Sequence, residues 1–480
     1  MRFRDIPIGT AIDVGRGFGQ STVGALRHPQ RIRRGRGLRV LLLTSGLGTG
    51  HSRAAAAIAR AMREQAPGTR IRIVDFWSLL DISVASALQQ TYLHLVTGHP
   101  DLYQRLYQLD QHSWRNILEN GQALPELLHE LGALIAPLAD PKNGAGERHW
   151  LDRLLFRQLA TLLARPNEDE TAFRELRQQA VVHQSWALLA KRLSRRIARF
   201  APDAVIATQV NMAALAAHLK ARRRFQAPLI GIVTDYGVHN FWLQRQVDLH
   251  CVADESMTQQ FNGAAAASRV EVTGIPLMPE FSHPPPAGAA RQELGLVQPG
   301  PVVLILGGGL GLGIGSVVRC LARSLLLQPS QPTLIVLAGR NRQLAGELQG
   351  DPAVRDLMAA GRLRVQGWTE QVVMYMRAAE LVIGKPGGLS TAEVLACGRP
   401  LFSTCSLRGQ ESFNVAFLES NGVGQLLREE QLARYIPALL DDRVSLRQMQ
   451  SRAWALGRRH GAQCVTARVL ESMRQRVAAE

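Results

Sequence analysis

The stretch "IGKPGGLSTAEVLACGRP" (residues 383–400) joins an apolar run, a Pro-Gly-Gly turn and the start of a helix. A change from a strand-like to a helix-like pattern across a glycine turn is typical of parallel α/β sheets. A helix N-terminus presents unpaired backbone N–H groups, and glycine lets an anion approach them closely. Gly387 and Gly388 therefore predict either tight strand–helix packing or a phosphate-binding turn.

Polar side chains follow this turn and favour a ligand. Ser390 and Thr391 add hydroxyl donors at the helix start, and the Glu393 carboxylate suits the two hydroxyls of a ribose. An acidic residue also stabilises a helix N-terminus without any ligand. A second loop, "GQESFN", adds three polar groups suited to sugar hydroxyls: Gln410, Glu411 and Asn414. The combination predicts a nucleotide-sugar site.

Two further glycine turns follow apolar runs, "SGLGTGHS" (residues 45–52) and "GGGLGLGIGS" (residues 307–316). The second contains Gly308 and Gly309. After the first, the next strand ends in Asp75, so a dinucleotide site remains an alternative there. No Gly-Lys-Ser/Thr follows any of these turns, which excludes a mononucleotide P-loop.

Strand-like and helix-like segments alternate in both halves of the 480-residue chain, so we predict an α/β fold with two doubly wound, Rossmann-like sheets facing a cleft. The last helix, from about Ser445, is expected to cross back to the first domain. The predicted divisions are a basic leader (1–37), a first domain (38–285) with a helical insertion (about 80–200), a second domain (296–440) and C-terminal helices (441–480).

Charge and composition narrow the kinds of binding partner and the cellular location expected for the protein. The net charge of +17 suggests an acidic partner: nucleic acid, an anionic membrane surface or a phosphorylated small molecule. Aromatic residues make up only 5% of the chain, so base stacking is sparse and nucleic acid is not expected as a partner. Five scattered cysteines indicate reduced thiols, and no secretory signal or spanning segment is evident, so we expect a cytoplasmic protein.

Several motifs, in this order, resemble the monogalactosyldiacylglycerol synthase and processive diacylglycerol glucosyltransferase family. They are "VTDYGVHNFW" (233–242), "VTGIPLMPEF" (272–281), "LILGGGLGLG" (304–313), "GKPGGLSTAE" (384–393) and "GQESFN" (409–414). That family is related to the N-acetylglucosaminyltransferase that makes lipid II. The resemblance implies a GT-B fold, a UDP-sugar donor, a diacylglycerol-like acceptor and inversion at the anomeric carbon. The sugar, glucose or galactose, stays open.

The resemblance also implies roles for individual residues. Gly387, Gly388 and Ser390 match the diphosphate turn, Glu393 the ribose-binding acid, and Gln410 with Glu411 the sugar-contacting pair. Gly308 and Gly309 are expected to face the cleft, with Thr391 and Asn414 on the donor side. His51, after Gly50, matches a histidine on the acceptor side.

Glycosyl transfer needs a base for the acceptor hydroxyl and stabilisation of the departing diphosphate. We predict that His51 takes the hydroxyl proton directly or relays it to Asp235. Lys385 or Arg340 is expected to add positive charge for the diphosphate. Since no Asp-x-Asp pair lies near a strand end, the helix end at Gly388 is expected to replace a metal, and no cofactor is predicted.

Drawing a lipid from a bilayer needs an apolar surface ringed by cations. Tyr103 and Tyr107, one helical turn apart, are one candidate for the membrane-dipping element. The Arg-rich leader and the helix with Arg195 and Arg196 are the other candidates. His239 is a second candidate on the acceptor side, with a structural role as its alternative. The predicted location is peripheral, on the inner face of the cell membrane.

Three other functions remain open at the level of sequence. In the first, the protein transfers a sugar to a polyprenyl-linked or other lipid. The second is a nucleotide-sugar epimerase on the same two-domain fold. The third is a basic module without enzymatic activity that binds a membrane or nucleic acid.

Overall fold

The computed structural model of the chain describes residues 37–46, 50–80, 181–239, 242–261, 268–296, 298–309, 314–326, 328–404 and 411–479. The predicted leader, up to residue 36, and residues 81–180 of the predicted helical insertion lie outside the described residues. The described residues form two compact units, one within 37–76, 196–404 and 411–479 and the other within 77–80 and 181–195.

Six parallel strands form the first sheet, in the order β2-β1-β3-β4-β5-β6. Its strands are β1 (Arg39–Thr44), β2 (Arg70–Asp75), β3 (Ala204–Ala207), β4 (Leu229–Ile232), β5 (Leu249–Val252) and β6 (Arg269–Val272). The helices of this half are α1 (Gly50–Gln65), α2 (Val181–Phe200) and α3 (Val210–Ala221). The central strands are buried on both faces, which explains their unbroken Val, Ile and Leu runs.

Six parallel strands also form the second sheet, in the order β12-β11-β10-β7-β8-β9. They are β7 (Val302–Leu306), β8 (Thr333–Leu337), β9 (Leu363–Gln366), β10 (Leu381–Gly384), β11 (Leu401–Ser403) and β12 (Gly424–Leu426). The helices that accompany them are α4 (Ala287–Glu293), α5 (Gly315–Leu326), α6 (Leu344–Leu348), α7 (Pro352–Ala359), α8 (Val372–Ala378), α9 (Gly388–Ala396), α10 (Ser412–Ser420), α11 (Glu429–Asp441) and α12 (Arg443–Leu456). Both predicted doubly wound sheets are confirmed.

In each sheet, successive strands are added first on one side of the first strand and later on its other side, which creates one topological switch point. In the first sheet this switch lies between β1 and β3, and in the second it lies between β7 and β10. Ligands of open α/β sheets bind at the carboxyl ends of strands beside such a switch. The turns after β1 and β10 are the glycine turns that begin α1 and α9.

The C-terminal helices differ in one respect from the sequence expectation. The segment from Ser445 is not one helix, because α12 ends at Leu456 and α13 (Gly461–Ala479) begins four residues after Gly457. It is α13 that returns to the first half of the chain. Its apolar side chains join the core of the first sheet beside Val40 and Leu42: Val465, Val469 and Met473.

Two connections therefore join the sheets, the segment between β6 and β7 and the segment between α12 and α13. They lie side by side. The Ser282 hydroxyl donates to the Arg459 carbonyl at 3.2 Å, and the rings of His283 and His460 are 5.4 Å apart. A Cβ built on Gly461 would lie 2.5 Å from the Ile275 carbonyl oxygen.

In the smaller unit, Trp77–Leu79 forms a 3-10 turn whose Leu79 carbonyl accepts a 2.8 Å hydrogen bond from Arg192 on α2. Leu189 and Leu193 are buried on the same helix. None of the described helices combines the length and the apolar character needed to cross a bilayer.

Candidate active site

The N-termini of α1 and α9 face each other, so the two switch points lie together. A Cβ on Gly50 would be 3.7 Å from the Cβ of Leu389. At Gly388, a Cβ would lie only 1.9 Å from the Thr234 carbonyl oxygen and 2.7 Å from Asp235 Oδ1. The loop after β4 thus packs directly on the first residue of α9, and any side chain there would collide with backbone.

His51 is held by the first sheet. Its Nδ1 lies 2.8 Å from the Thr208 carbonyl oxygen and 3.0 Å from Thr234 Oγ1. A carbonyl accepts hydrogen bonds and cannot donate, so Nδ1 carries the proton and Nε2 carries the lone pair. Burial lowers the pKa of His51, and the nearby charge of Asp235 opposes that shift. The lowered pKa favours the neutral imidazole, whose lone pair is then on Nε2.

Asp235 follows β4 and is bound by two donors of the second sheet. Asn414 Nδ2 donates to Asp235 Oδ1 at 3.0 Å, and the Gly388 backbone N–H donates to the same carboxyl group. Removal from water raises the pKa of Asp235, while the Asn414 bond, the charge of His51 and the Gly388 bond lower it. A carboxyl group of the protein itself therefore occupies the N-terminus of α9.

Glu393 is buried on α9 and forms an ion pair with Arg53 of α1, with Arg53 Nη2 3.2 Å from Glu393 Oε1. Burial raises the pKa of Glu393 to about 7; Arg53 opposes the shift and Glu280 adds to it. The predicted ribose-binding acid is thus paired with a residue of the opposite sheet.

The loop after β4 also contacts α10. The fully buried Asn414 accepts a 2.8 Å hydrogen bond from the Tyr236 backbone N–H through Oδ1. The rings of Tyr236 and Phe417 stack, with centroids 4.1 Å apart. Both polar atoms of the Asn414 side chain, predicted to contact the donor, are therefore bonded to the β4 loop.

The other predicted donor residues lie at the carboxyl edge of the second sheet. Gly308 has a φ of +63° after β7, a conformation that favours glycine, and the Gly309 carbonyl accepts the Arg340 backbone N–H at 3.2 Å. The Arg340 guanidinium lies over the Trp368 ring, 5.0 Å from its centroid. Because β7 and β10 pair in register, Gly308 and Gly387 follow adjacent strand ends.

Three more of these residues lie on or beside α9. Glu411 is buried, and a Cβ on Gly387 would be 3.8 Å from its Oε1. Ser390 is partly buried. Thr391 is fully buried, and among the described residues its Oγ1 has no hydrogen-bond partner.

On the acceptor side, His239 is partly buried, and burial lowers its pKa. Tyr103, Tyr107 and Gln410 lie outside the described residues. Within the described ranges no group of three or more His, Cys, Asp or Glu side chains is arranged to hold a metal ion.

Sequence reasoning missed Arg53, Thr208 and Thr234. Arg53 is two residues beyond His51 on the same helix, so the glycine-turn motif that identified His51 could also have identified Arg53. Thr234 stands beside Asp235 in "VTDY" and was likewise available. Thr208 contributes through its backbone carbonyl, for which no side-chain motif exists.

Comparison with known proteins agrees with the motifs. The sequence model of the monogalactosyldiacylglycerol (MGDG) synthase family matches residues 169–277, which contain Asp235 and His239. A processive diacylglycerol beta-glucosyltransferase of Bacillus pumilus is 28% identical over 246 residues, covering 51% of this chain and 62% of that protein. The chloroplastic monogalactosyldiacylglycerol synthase of Spinacia oleracea is 28% identical over 263 residues, covering 52% and 49%. The matched segment thus spans about half to two thirds of these relatives.

Solved structures show the same architecture. MurG of Acinetobacter baumannii superposes with a TM-score of 0.50 at 15% identity, covering 90% of this chain and 99% of MurG. MnaA of S. aureus, in a structure with UDP, gives a TM-score of 0.51 at 11% identity, covering 89% and 94%. These likenesses establish the GT-B fold. The chain is therefore a GT-B protein and a relative, by sequence, of the monogalactosyldiacylglycerol synthase and processive diacylglycerol glucosyltransferase family.

Proposed function

We propose that the protein is an inverting glycosyltransferase that moves a hexose, glucose or galactose, from a UDP-sugar to a diacylglycerol-type membrane lipid. The observation that carries the proposal is the position of His51. It is a neutral imidazole with its Nδ1 proton directed to Thr208, at the place where the N-termini of α1 and α9 meet. The relatives, named as diacylglycerol glucosyltransferases and an MGDG synthase, support the substrate class.

The donor is proposed to bind on the second sheet. The N-terminus of α9 receives the diphosphate, with hydroxyls of Ser390 and Thr391 nearby, and Glu393 receives the ribose. Gly308, Gly309 and Arg340 line the neighbouring strand ends, and the predicted sugar contacts are Gln410 and Glu411. Because the Gly388 N–H is already bonded to Asp235, a bound phosphate competes with Asp235 for this one donor.

In the proposed reaction, His51 Nε2 takes the proton of the acceptor hydroxyl while its oxygen attacks the anomeric carbon. The bond from that carbon to the diphosphate oxygen breaks, and UDP leaves with the electron pair. Asp235 stabilises the imidazolium ion, and the amides of α9 stabilise the new charge on the diphosphate. A metal ion has no part in this proposal.

The lipid side of the proposal rests on charge and on the relatives. The net charge of +17 suits an anionic membrane surface, and we propose a peripheral location on the inner face of the cell membrane. Gly50 and His239 lie on the first-sheet side, where the acceptor is expected, and Tyr103 and Tyr107 are the proposed membrane contacts.

The deciding experiment incubates the purified protein with UDP-glucose or UDP-galactose and either diacylglycerol vesicles or a polyprenyl phosphate, followed by mass spectrometry of the lipids. We expect a glycosyldiacylglycerol, and its loss in His51→Gln but not in the control His218→Gln on α3. If the polyprenyl phosphate is glycosylated and diacylglycerol is not, the acceptor is a polyprenyl lipid. Conversion of the UDP-sugar without lipid would establish an epimerase instead.

A further inference from the structure

We propose that Asn414 is a positioning residue that holds Asp235 beside His51, so that the acid–base pair of the first sheet is completed by the second sheet. This inference rests on the proposed function. It gives Asn414 a role different from contact with the donor sugar.

The contacts of Asn414 define the orientation of its amide group. Nδ2 donates to the Asp235 carboxylate at 3.0 Å, and Oδ1 accepts from the Tyr236 backbone N–H at 2.8 Å. A carboxylate only accepts and a backbone N–H only donates, so the reverse orientation would lose both hydrogen bonds. The side chain is fully buried, and both bonds go to consecutive residues of one loop.

Further contacts on both sides of Asn414 hold the β4 loop against α10. Phe417, one turn further along α10, stacks on Tyr236 with centroids 4.1 Å apart. A Cβ on Gly237 would fall 2.2 Å from the ring of Phe413, so the loop and the helix are in close contact there as well. Three successive loop residues thus face three residues of α10, which explains why a short amide side chain reaches Asp235.

Few groups act on the carboxyl of Asp235. His51 approaches it from α1, the Gly388 N–H from α9 and the Asn414 amide from α10. Of these three groups, all among the described residues, His51 titrates, whereas the Gly388 N–H and the Asn414 amide do not. Both neutral donors come from the second sheet, so the ionised form of Asp235 is stabilised when the two sheets are in contact.

The chemical consequence concerns the imidazolium ion. When His51 accepts a proton, the positive ring is stabilised by an ionised carboxylate close to it. Asn414 keeps that carboxylate ionised and in place without touching a substrate. Removal of its N–H donor therefore weakens the base, whereas the donor nucleotide loses no contact.

The test compares Asn414→Ala and Asn414→Asp with wild type, using Asn421→Ala at the end of the same helix as a control. We expect kcat to fall about tenfold or more, because part of the acid–base contribution is lost. In Asn414→Ala the acidic limb of the pH profile should move to lower pH, because this limb follows the deprotonation of His51, whose pKa falls. The Kd of UDP from calorimetry should stay within about twofold. A weaker Kd with an unchanged pH profile would overturn the inference and assign Asn414 to the donor.

Two further measurements separate this inference from the proposed function. In an Asp235→Ala background, Asn414→Ala should cause no further loss of kcat, since the residue acts through Asp235. Nitrogen NMR of the His51 ring does not depend on turnover. Its pKa should fall in Asn414→Ala, because Asp235 is then less ionised. If wild type neither binds UDP nor transfers sugar, the proposed function fails; an unchanged His51 titration overturns the positioning role.

Discussion

Arg53 Nη2 lies 3.2 Å from Glu393 Oε1, so the first helix of the first sheet neutralises the acid on the glycine-turn helix of the second sheet. The Glu393 side chain is 7% exposed and that of Arg53 is 30% exposed. Burial outweighs the ion pair, and the pKa of Glu393 rises to about 7. A carboxyl group in this position changes its charge at neutral pH.

The first prediction concerns nucleoside binding as a function of pH. If Glu393 binds ribose as a carboxylate, affinity for uridine should increase as the pH rises from 6 to 8 through the pKa near 7. Uridine is the probe because it carries no titrating phosphate. In Arg53→Met the cation that lowers the pKa of Glu393 is gone, so the increase should occur at higher pH. Calorimetry showing the same pH dependence in Glu393→Gln would contradict the assignment.

The second prediction concerns competition at the N-terminus of α9. In Asp235→Asn, the carboxyl group that bonds to the Gly388 N–H is replaced by an amide that cannot ionise. We expect UDP to bind about two- to fivefold more tightly, the range set by one charge at a helix end, while kcat falls. Asp356→Asn, an exposed acid on α7, serves as the control for the loss of a negative charge. Weaker UDP binding in Asp235→Asn would show that Asp235 and phosphate do not compete.

The third prediction concerns stability. Gly388→Ala places a Cβ 1.9 Å from the Thr234 carbonyl oxygen, so the loop or the helix must shift. We expect the free energy of unfolding to fall by about 1–3 kcal/mol. In Gly288→Ala, on α4, the added Cβ meets no atom within 4 Å, and the free energy of unfolding should stay equal or rise by up to about 1 kcal/mol. Urea denaturation of both variants measures the difference.

The fourth prediction concerns the base itself. His51→Ala should lower kcat about a hundredfold or more, with the Kd of UDP nearly unchanged, because the imidazole acts on the acceptor hydroxyl. The residual rate should also lose the pH dependence of His51. Near-normal turnover would remove His51 from the reaction.

The fifth prediction tests the contribution of α13 to the core of the first sheet. Met473 is 3% exposed and packs with Val40 and Leu42, so Met473→Ala should lower the free energy of unfolding by about 2–5 kcal/mol. Arg474→Ala, the exposed neighbour, should change it by less than about 0.5 kcal/mol. Equal effects of the two substitutions would contradict this packing.

Local patterns predicted the elements around the site well. The apolar run and glycine turn of residues 383–400 became β10 and α9, with the helix beginning at Gly388. Alternation of strands and helices was sufficient for two parallel sheets, because period and turn chemistry are local properties. The last helix begins at Gly461 and not near Ser445, and it crosses back to the first sheet as expected. At the break before it, a Cβ on Gly457 would lie 2.4 Å from the Leu395 carbonyl oxygen of α9.

Local sequence patterns did not predict the contacts between the two sheets. The glycine turn alone was compatible with packing and with phosphate binding, and the structure places Thr234 and Asp235 on Gly388. Pairing of Arg53 with Glu393, and of Asn414 with Asp235, joins residues far apart in the chain. A single sequence carries no record of such proximity, so these partners required coordinates.

The adjacent connections beside Ser282 and Arg459 determine how the sheets are able to separate. Two neighbouring covalent links permit rotation about an axis through both of them and resist sliding in other directions. A rotation about this axis would leave α13 packed on the first sheet, because its side chains are part of that core. Gly461 lies against the backbone of Gly274 and Ile275 beside this axis, so a larger residue at either glycine would disturb it.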